Sequence, residues 1–168
     1  MPLQKSIFED TQNSCGVTFL EDYIIQGMVY NYIIKAKNNN IHFCVNLVES
    51  IPKMTGITSL ELSRILGILL DNAFEAALDN TDIENRKVIF AACIRNEDII
   101  YIVKNKYGYR PDIAKLFSHD YSTKGSKHGR GLAIAKRIID EHEEALMNIE
   151  IQQEWFVAKV LLNNEKNN

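Results

Sequence analysis

Residues 61–76 have the sequence ELSRILGILLDNAFEA, and this stretch does most to decide the fold. Its apolar residues recur every three or four positions, which is the period of a helix with one broad buried face. Thr58 and Glu61 stand three residues apart in front of the apolar run, which is the spacing of a capping box. We therefore expect a helix over about residues 59–79.

Asn72 is the unusual residue of this helix. An amide within a strongly apolar segment costs free energy unless it has polar partners. Ile68 lies four residues before it and Glu75 three residues after it, so the three share one face of the helix. The amide oxygen is a hard ligand of the kind that suits Mg²⁺. The alternative is a structural role, in which Asn72 caps a neighbouring backbone group.

The flanking segments supply the rest of a two-layer fold. Further helices are expected at 18–37, where Thr18 and Glu21 form a second capping-box pattern, and at 131–140. Short apolar or alternating runs predict strands at 41–47, 87–95, 99–105, 146–151 and 155–162. This order favours an α/β (α+β) sandwich, in which a mixed, mostly antiparallel sheet of about five strands is covered on one face by about three helices.

The composition limits the classes of protein to consider. A chain of 168 residues fits one domain, which we place at 18–163 between a leader at 1–17 and a polar tail at 164–168. The net charge of -3 argues against a nucleic-acid binder, which needs clustered lysine and arginine. No apolar run approaches the roughly 20 residues that span a bilayer, and the first residues do not resemble a signal peptide.

The cysteines and histidines show no metal-binding pattern. Cys15, Cys44 and Cys93 are too far apart for a Cys-x-x-Cys pair, and the four histidines have no metal-ligand spacing. Isolated cysteines of this kind indicate a reduced, cytoplasmic setting. We expect Cys44 and Cys93 to be small core residues of their strands.

Residues 122–135, with the sequence STKGSKHGRGLAIA, are a candidate for phosphate binding. Glycines let a backbone approach a phosphate closely, and the N-terminus of the following helix presents free amide groups. Lys124 and Arg130 add positive charge and forked hydrogen-bond donors. The glycine spacing is neither that of a P-loop nor that of a dinucleotide-binding loop, and an ordinary flexible turn is the alternative interpretation.

Asn105 and Gly108 mark a third candidate at the end of a predicted strand. A polar acceptor at a strand end, followed by a tight turn, could read the edge of a base. On its own, the pattern is also that of an ordinary strand exit. Residues 106–129 then run without clear periodicity, and so long a segment inside a compact domain is usually functional.

Together the three segments resemble the nucleotide-binding motifs of the GHKL (Bergerat-fold) superfamily, and of sensor histidine kinases in particular. Residues 69–76, LLDNAFEA, are similar to the asparagine-containing box. Residues 103–108, VKNKYG, resemble the first glycine box, and 128–134, HGRGLAI, the second. Residues 116–124, LFSHDYSTK, are similar to the ATP lid. The combination of Asn-Lys box, Ser-Thr-Lys lid and Gly-Arg-Gly-Leu loop resembles the peptide quorum-sensing (Agr-type) kinases.

The resemblance implies a role for each matching residue, and it implies ATP and Mg²⁺ as ligands. Asn72 would bind Mg²⁺, Asn105 would contact the adenine amino group, and Gly108 would shape the pocket around the base. Lys124 would reach the terminal phosphates, and Glu75 would be a partner of Asn72 or of metal-bound water. These last two are the candidate catalytic residues. The phosphates would be surrounded by the backbone amides of Gly129, Arg130, Gly131 and Leu132.

Two positions depart from the family pattern. Most histidine kinases have Asp where Asn105 stands, and because Asn can donate as well as accept, we expect weaker selectivity or affinity for adenine. Ile68 occupies a position where many kinases have a second Asn and where hydrolytic relatives and anti-sigma serine kinases have Glu. Ile68 cannot act as a base, so a self-sufficient ATPase and a serine kinase are both disfavoured.

A histidine kinase also needs a phosphoacceptor. None of His42, His119, His128 and His142 lies on a helical pair that resembles a dimerisation and phosphotransfer domain. We therefore expect the acceptor histidine on a separate dimerisation domain, with residues 1–17 as a remnant of the linker to it.

The resemblance also implies the wider setting of the domain. A response regulator would be an indirect partner, and the parent would be a homodimer anchored in the membrane with this domain in the cytoplasm. The isolated domain is expected to be a monomer that contacts neither membrane nor nucleic acid. The alternatives are a non-catalytic GHKL regulatory module and an anti-sigma-type serine kinase.

Overall fold

Three helices cover one face of a five-stranded sheet, which confirms the predicted sandwich. The computed structural model describes residues 16–116 and 130–163. The helices are α1 (Tyr23–Asn38), α2 (Ser59–Leu78) and α3 (Gly131–Asp140). The strands are β1 (His42–Leu47), β2 (Lys87–Arg95), β3 (Asp98–Lys106), β4 (Ala145–Gln152) and β5 (Trp155–Leu162). No helix in these ranges is long and apolar enough to cross a membrane.

The sheet is mixed, with the strand order β1-β2-β3-β5-β4. Strand β1 runs parallel to β2, and every other neighbouring pair is antiparallel. The parallel pair requires a crossover, and α2 lies within that crossover. Alternate residues of each strand therefore face the helices, and Phe43, Val45, Phe90 and Tyr101 fill the core between the layers.

The two strand cysteines are not core residues, so that prediction was wrong. Cys44 is exposed on β1 and Cys93 is partly exposed on β2. In β1 the buried positions are Phe43 and Val45, which leaves Cys44 on the opposite face of the sheet. Both cysteines lie on the face that the helices do not cover, because side chains alternate along a strand.

Helix α1 begins later than the sequence pattern predicts. Thr18 is part of a 3-10 turn at Val17–Phe19, and Leu20 forms a parallel bridge with Ile51. Asp22 is the N-cap instead, and its Oδ1 accepts a hydrogen bond of 3.0 Å from the backbone amide of Ile24. The prediction that Thr18 caps this helix was therefore wrong.

Asp22 also joins the starts of two helices. Its second carboxylate oxygen accepts a hydrogen bond of 2.6 Å from the Ser59 hydroxyl, in the first turn of α2. Asp22 and Ser59 are both buried, at 5% and 8% exposure. A buried carboxylate is tolerated here because every contact named is with a hydrogen-bond donor.

The capping box of α2 forms as predicted. The backbone amide of Glu61 donates to Thr58 Oγ1 at 3.2 Å, and the Thr58 amide donates to Glu61 Oε2 at 3.1 Å. The Thr58 hydroxyl also donates to Glu61 Oε2, and this hydrogen bond holds the pKa of the Glu61 carboxyl below its usual value. The box fixes the first turn of the helix that carries Asn72.

Candidate functional site

The rotation of α2 about its axis is fixed by its contacts with α1 and β1. The Tyr32 hydroxyl of α1 lies 2.9 Å from Asp71 Oδ1 and 3.0 Å from the Gly67 carbonyl oxygen. The Phe74 ring packs edge-on against Tyr32 and Phe43, with centroids 5.2 and 5.3 Å away. Burial, and next the hydrogen bond to Asp71, raise the pKa of Tyr32 above its usual value, so the hydroxyl keeps its proton.

Asn72 then lies about 100° around the helix from Asp71, so the predicted polar face of α2 adjoins the side that contacts α1. Ile68, Asn72 and Glu75 lie on one uninterrupted helix and are each partly buried. Partial burial suits an amide that binds a ligand, because its oxygen stays accessible while the surrounding helix restricts its position.

The start of α3 packs directly on this face. A Cβ added to Gly131 would lie 3.2 Å from Ile68 Cγ2, so the missing side chain allows a close approach of the two helices. The first intrahelical hydrogen bond runs from the Ile134 amide to the Arg130 carbonyl. The amides of residues 131–133 precede that bond and so have no partner within the helix, and a helix start of this kind can bind an anion. Ile68, which Gly131 adjoins, lies four residues, or about 6 Å along the axis of α2, before Asn72.

The side chains of Arg130 and Leu132, at the start of α3, lie in different environments. Arg130 is exposed at the N-cap position and makes no capping hydrogen bond with its side chain. Leu132 is buried at 8% exposure, so its side chain belongs to the core and only its backbone can serve the site.

Asn105 lies under α2, near the end of β3, and is only 2% exposed. Its Nδ2 donates a hydrogen bond of 3.0 Å to the Lys106 carbonyl. Within residues 16–116 and 130–163, the hydrogen bonds include no donor to its Oδ1. The side chain is thus oriented so that an acceptor oxygen remains for a ligand. The expected effect of this amide on adenine selectivity stays a prediction, since Nδ2 keeps a second hydrogen to donate.

Gly108 holds the loop after β3 against the C-terminal end of α2. A Cβ added to Gly108 would lie 2.9 Å from the Asp79 carbonyl oxygen and 3.2 Å from the Asn80 amide nitrogen. The Asn80 side chain reaches from the same place to the Lys106 carbonyl, at 3.4 Å. Glycine is required at position 108 because the backbone of this loop lies too close to the backbone at the end of α2 to leave room for a side chain.

Gly108→Ala is expected to lower the free energy of unfolding by about 2 kcal/mol, because the new methyl group meets backbone rather than a movable side chain. Urea unfolding followed by circular dichroism would measure this change. Gly27→Ala is the matched control, since a Cβ there meets nothing within 4 Å and should stabilise the helix by up to about 1 kcal/mol. Equal effects of the two substitutions would contradict the packing argument.

The sequence did not point to Asn80 and Arg86, which support this end of the site. The Arg86 Nε donates to the Asn80 carbonyl at 3.1 Å, and so fixes the turn that follows α2. An Asn just after a helix is a signal for a helix end, but nothing local indicates that its side chain contacts β3.

Several predicted residues lie outside the described ranges. Lys124, Gly129, His119 and His128 fall within residues 117–129, as does most of the predicted lid. Of the other histidines, His42 is exposed on β1. His142 follows α3, with its Nε2 3.4 Å from Glu61 Oε1.

The two glycine segments thus pack on α2 at either side of Asn72. A family model described as a GHKL domain matches residues 57–163, which include α2 and both segments. The chain belongs to the GHKL family.

Curated relatives of this GHKL domain include two bacterial sensor proteins. Sensor protein CitS of Bacillus subtilis (strain 168) is 29% identical over 120 residues, which make up 70% of this chain and 22% of CitS. Sensor histidine kinase FlgS of Helicobacter pylori is 28% identical over 101 residues, 58% of this chain and 26% of FlgS. The chain spans about a quarter of the length of each relative.

The fold of this GHKL domain is also that of solved kinase domains. The catalytic domain of histidine kinase ThkA superposes with a TM-score of 0.69 at 20% identity. The superposition covers 84% of this chain and 91% of the ThkA domain. This likeness confirms the predicted sandwich of a mixed sheet and three helices.

Proposed function

We propose that this GHKL domain is the ATP-binding catalytic domain of a two-component sensor histidine kinase. It binds Mg²⁺-ATP and transfers the γ-phosphoryl group to a histidine on a separate dimerisation domain. The main support for this proposal is the position of the two glycine segments against α2. Gly131 contacts Ile68, and Gly108 contacts Asp79, at points about 16 Å apart along the helix axis. This distance is comparable with the length of an extended nucleoside triphosphate.

The described residues offer a suitable group for each part of Mg²⁺-ATP. The base would lie at Asn105 and Gly108, and the phosphates at the free amides of α3 and at Arg130. Asn72 lies between these two ends, with a hard amide oxygen that suits Mg²⁺. A bound Mg²⁺ would neutralise phosphate charge, and Asn72, with Glu75 as its candidate partner, would hold it.

Each protein group has a distinct task in the transfer. The amides of α3 and the Arg130 guanidinium would stabilise the negative charge that spreads over the transferred group. The bond between the γ-phosphorus and the β–γ bridging oxygen breaks as a phosphorus–nitrogen bond to the acceptor imidazole forms. ADP leaves, and the imidazole loses its N–H proton. We assign Lys124 to the terminal phosphates and the amide of Gly129 to the phosphate loop, on the motif match alone.

Ile68 favours histidine over water or serine as the phosphoryl acceptor. A neutral imidazole attacks through a nitrogen lone pair and needs no base to activate it, whereas a hydroxyl group or water does. Ile68 packs against Gly131 at the place where hydrolytic relatives carry a Glu. This contact supports phosphotransfer rather than ATP hydrolysis.

Asn105 is expected to make the domain prefer ATP to GTP. Its oriented Oδ1 can accept from the amino group of adenine, and guanine presents a carbonyl oxygen at that position. Asn105→Leu should weaken ATP binding by about tenfold, the value of one hydrogen bond, while Asn105→Asp should retain it. Calorimetric titrations with ATP and GTP would measure both effects. Equal affinities of the unsubstituted chain for ATP and GTP would contradict this assignment.

We infer the wider setting of the domain from its motifs and relatives. The Asn-Lys box, Ser-Thr-Lys lid and Gly-Arg-Gly-Leu loop support an Agr-type quorum-sensing kinase as the parent. Residues 1–17 would be the linker from the dimerisation domain, and a response regulator would take the phosphoryl group from the acceptor histidine. The domain would lie in the cytoplasm beneath a membrane-anchored parent.

The test is phosphoryl transfer in trans. The chain is mixed with γ-labelled ATP, Mg²⁺ and a separately purified dimerisation domain of the parent. The expected product is labelled on histidine, and its label is lost in acid and retained in base. Label that survives acid would indicate a serine kinase. Tight ATP binding without transfer would favour a regulatory GHKL module.

A further inference from the structure

Helix α1 carries a second apolar stripe that faces away from the core. Tyr23, Gly27, Tyr30 and Ile34 follow one another at intervals of four, three and four residues, and we call them the α1 seam. Tyr23 is 83% exposed, Tyr30 37% and Ile34 58%, and a Cβ on Gly27 would meet nothing within 4 Å. Intervals of this kind are typical of the contact line of a coiled coil.

The seam is not needed to hold α1 on the sheet. The core-facing side of the helix consists of Ile25, Val29, Ile33 and Ala36, all buried. Their mean direction lies about 135° around the helix from that of the seam, because each residue advances the helix by about 100°. Single exposed apolar residues are normal on a surface, whereas an aligned row on one helix indicates a contact.

The shape of the seam is complementary to itself when two copies run antiparallel. In that arrangement each Tyr30 lies opposite the partner's Gly27, and each Tyr23 lies opposite the partner's Ile34. Large side chains then meet a small residue or an aliphatic one, as close packing requires. In a parallel arrangement Tyr30 would meet Tyr30 and leave a gap at Gly27.

The charges at the two ends favour the same arrangement. Glu21 is exposed just before the helix, and Lys37 is an exposed residue three positions after Ile34. An antiparallel pair brings each Glu21 towards the partner's Lys37, while a parallel pair sets like charges together. A two-fold axis makes both contacts at once.

We propose that a second copy of this chain docks on the α1 seam, with the two helices antiparallel about a two-fold axis. The surface buried by one helix pair is small compared with the roughly 1,200–2,000 Å² of a stable complex, so the dimer is weak in isolation. The seam lies across α2 from α3, so docking leaves the candidate nucleotide site open. This proposal differs from the expectation of a monomeric isolated domain, and it is independent of the proposed function.

Sedimentation velocity of the 168-residue chain tests the proposal over protein concentrations from about 10 μM to about 1 mM. A reversible dimer is expected, and Tyr30→Glu should weaken it by tenfold or more, since a charge would enter the contact. Leu146→Glu is the matched control. Leu146 is 62% exposed on β4, at the opposite edge of the sheet from β1, and its substitution should leave association unchanged.

A charge exchange tests the direction of the helices. Glu21→Lys and Lys37→Glu should each weaken the dimer, and the double variant should restore it. Ser50 donates to Glu21 at 2.7 Å, so circular dichroism must confirm that the variants fold. A chain that stays monomeric at about 1 mM would overturn the proposal. So would a dimer unaffected by Tyr30→Glu and Ile34→Glu, or a double variant no better than the single ones.

Discussion

Asn72→Ala is expected to weaken the binding of Mg²⁺-ATP by roughly 100-fold or more and to abolish detectable transfer to the acceptor domain. The change removes the amide oxygen proposed as the metal ligand. Little effect on folding is expected, because Asn72 is only partly buried. Isothermal titration calorimetry with ATP, in the presence and absence of Mg²⁺, measures the loss.

The comparison without Mg²⁺ separates a metal ligand from a general packing residue. In EDTA, the variant and the unsubstituted chain should bind ATP with similar, weak affinity. Asn148→Ala is a suitable control, since it removes an exposed amide from β4. An Asn72→Ala affinity within about threefold of the original would show that the amide does not hold the metal.

Asp22→Ala is expected to lower the free energy of unfolding by about 3 kcal/mol. Loss of the N-cap contributes roughly 1 kcal/mol. The Ser59 hydroxyl loses the acceptor that it meets at 2.6 Å in a buried position, which costs about 1–3 kcal/mol more. Both helices that the carboxylate joins are affected, so we expect one cooperative transition at a lower urea midpoint.

Two further variants sharpen this test. Asp22→Asn keeps an acceptor for the capping amide and should cost clearly less than alanine. Asp82→Ala removes a carboxylate that accepts from the Glu84 amide at 3.0 Å in an exposed turn, and should cost below about 1 kcal/mol. If Asp22→Ala and Asp82→Ala were equally mild, the link to Ser59 would contribute nothing.

The sequence predicted the helices and strands well where periodicity is strong. Helix α2, strands β2 and β5 and helix α3 agree with the expected ranges to within a residue or so. The predicted start of α1 was wrong because Thr18 and Asp22 are both residue types that can cap a helix, and they lie only four positions apart. The choice between them is made by Leu20, which pairs with Ile51 some thirty residues away.

The sequence suggested which residues belong to the candidate site, but it did not suggest how those residues contact one another. The motifs indicated Asn72, Asn105 and Gly108 from order and spacing. The approach of Gly108 to Asp79 and the orientation of the Asn105 amide depend on how β3 lies under α2, which no local pattern specifies. The cysteines were mispredicted for a similar reason. Alternating apolar residues indicate that β1 has two different faces, but they do not indicate which face the helices cover.

The parallel pairing of β1 and β2 has a consequence for how the domain folds. Pairing His42 with Lys87 closes a loop of more than forty residues, and α2 lies inside that loop. Closing this loop costs chain entropy before the contacts between the strands can form. The β1–β2 pairing is therefore expected to form more slowly than the local β2–β3 hairpin. Asn72 lies on the helix that this loop contains. ATP bound at the proposed site would stabilise the completed domain, by about 2.7 kcal/mol at 100 times its dissociation constant, rather than an earlier folding intermediate.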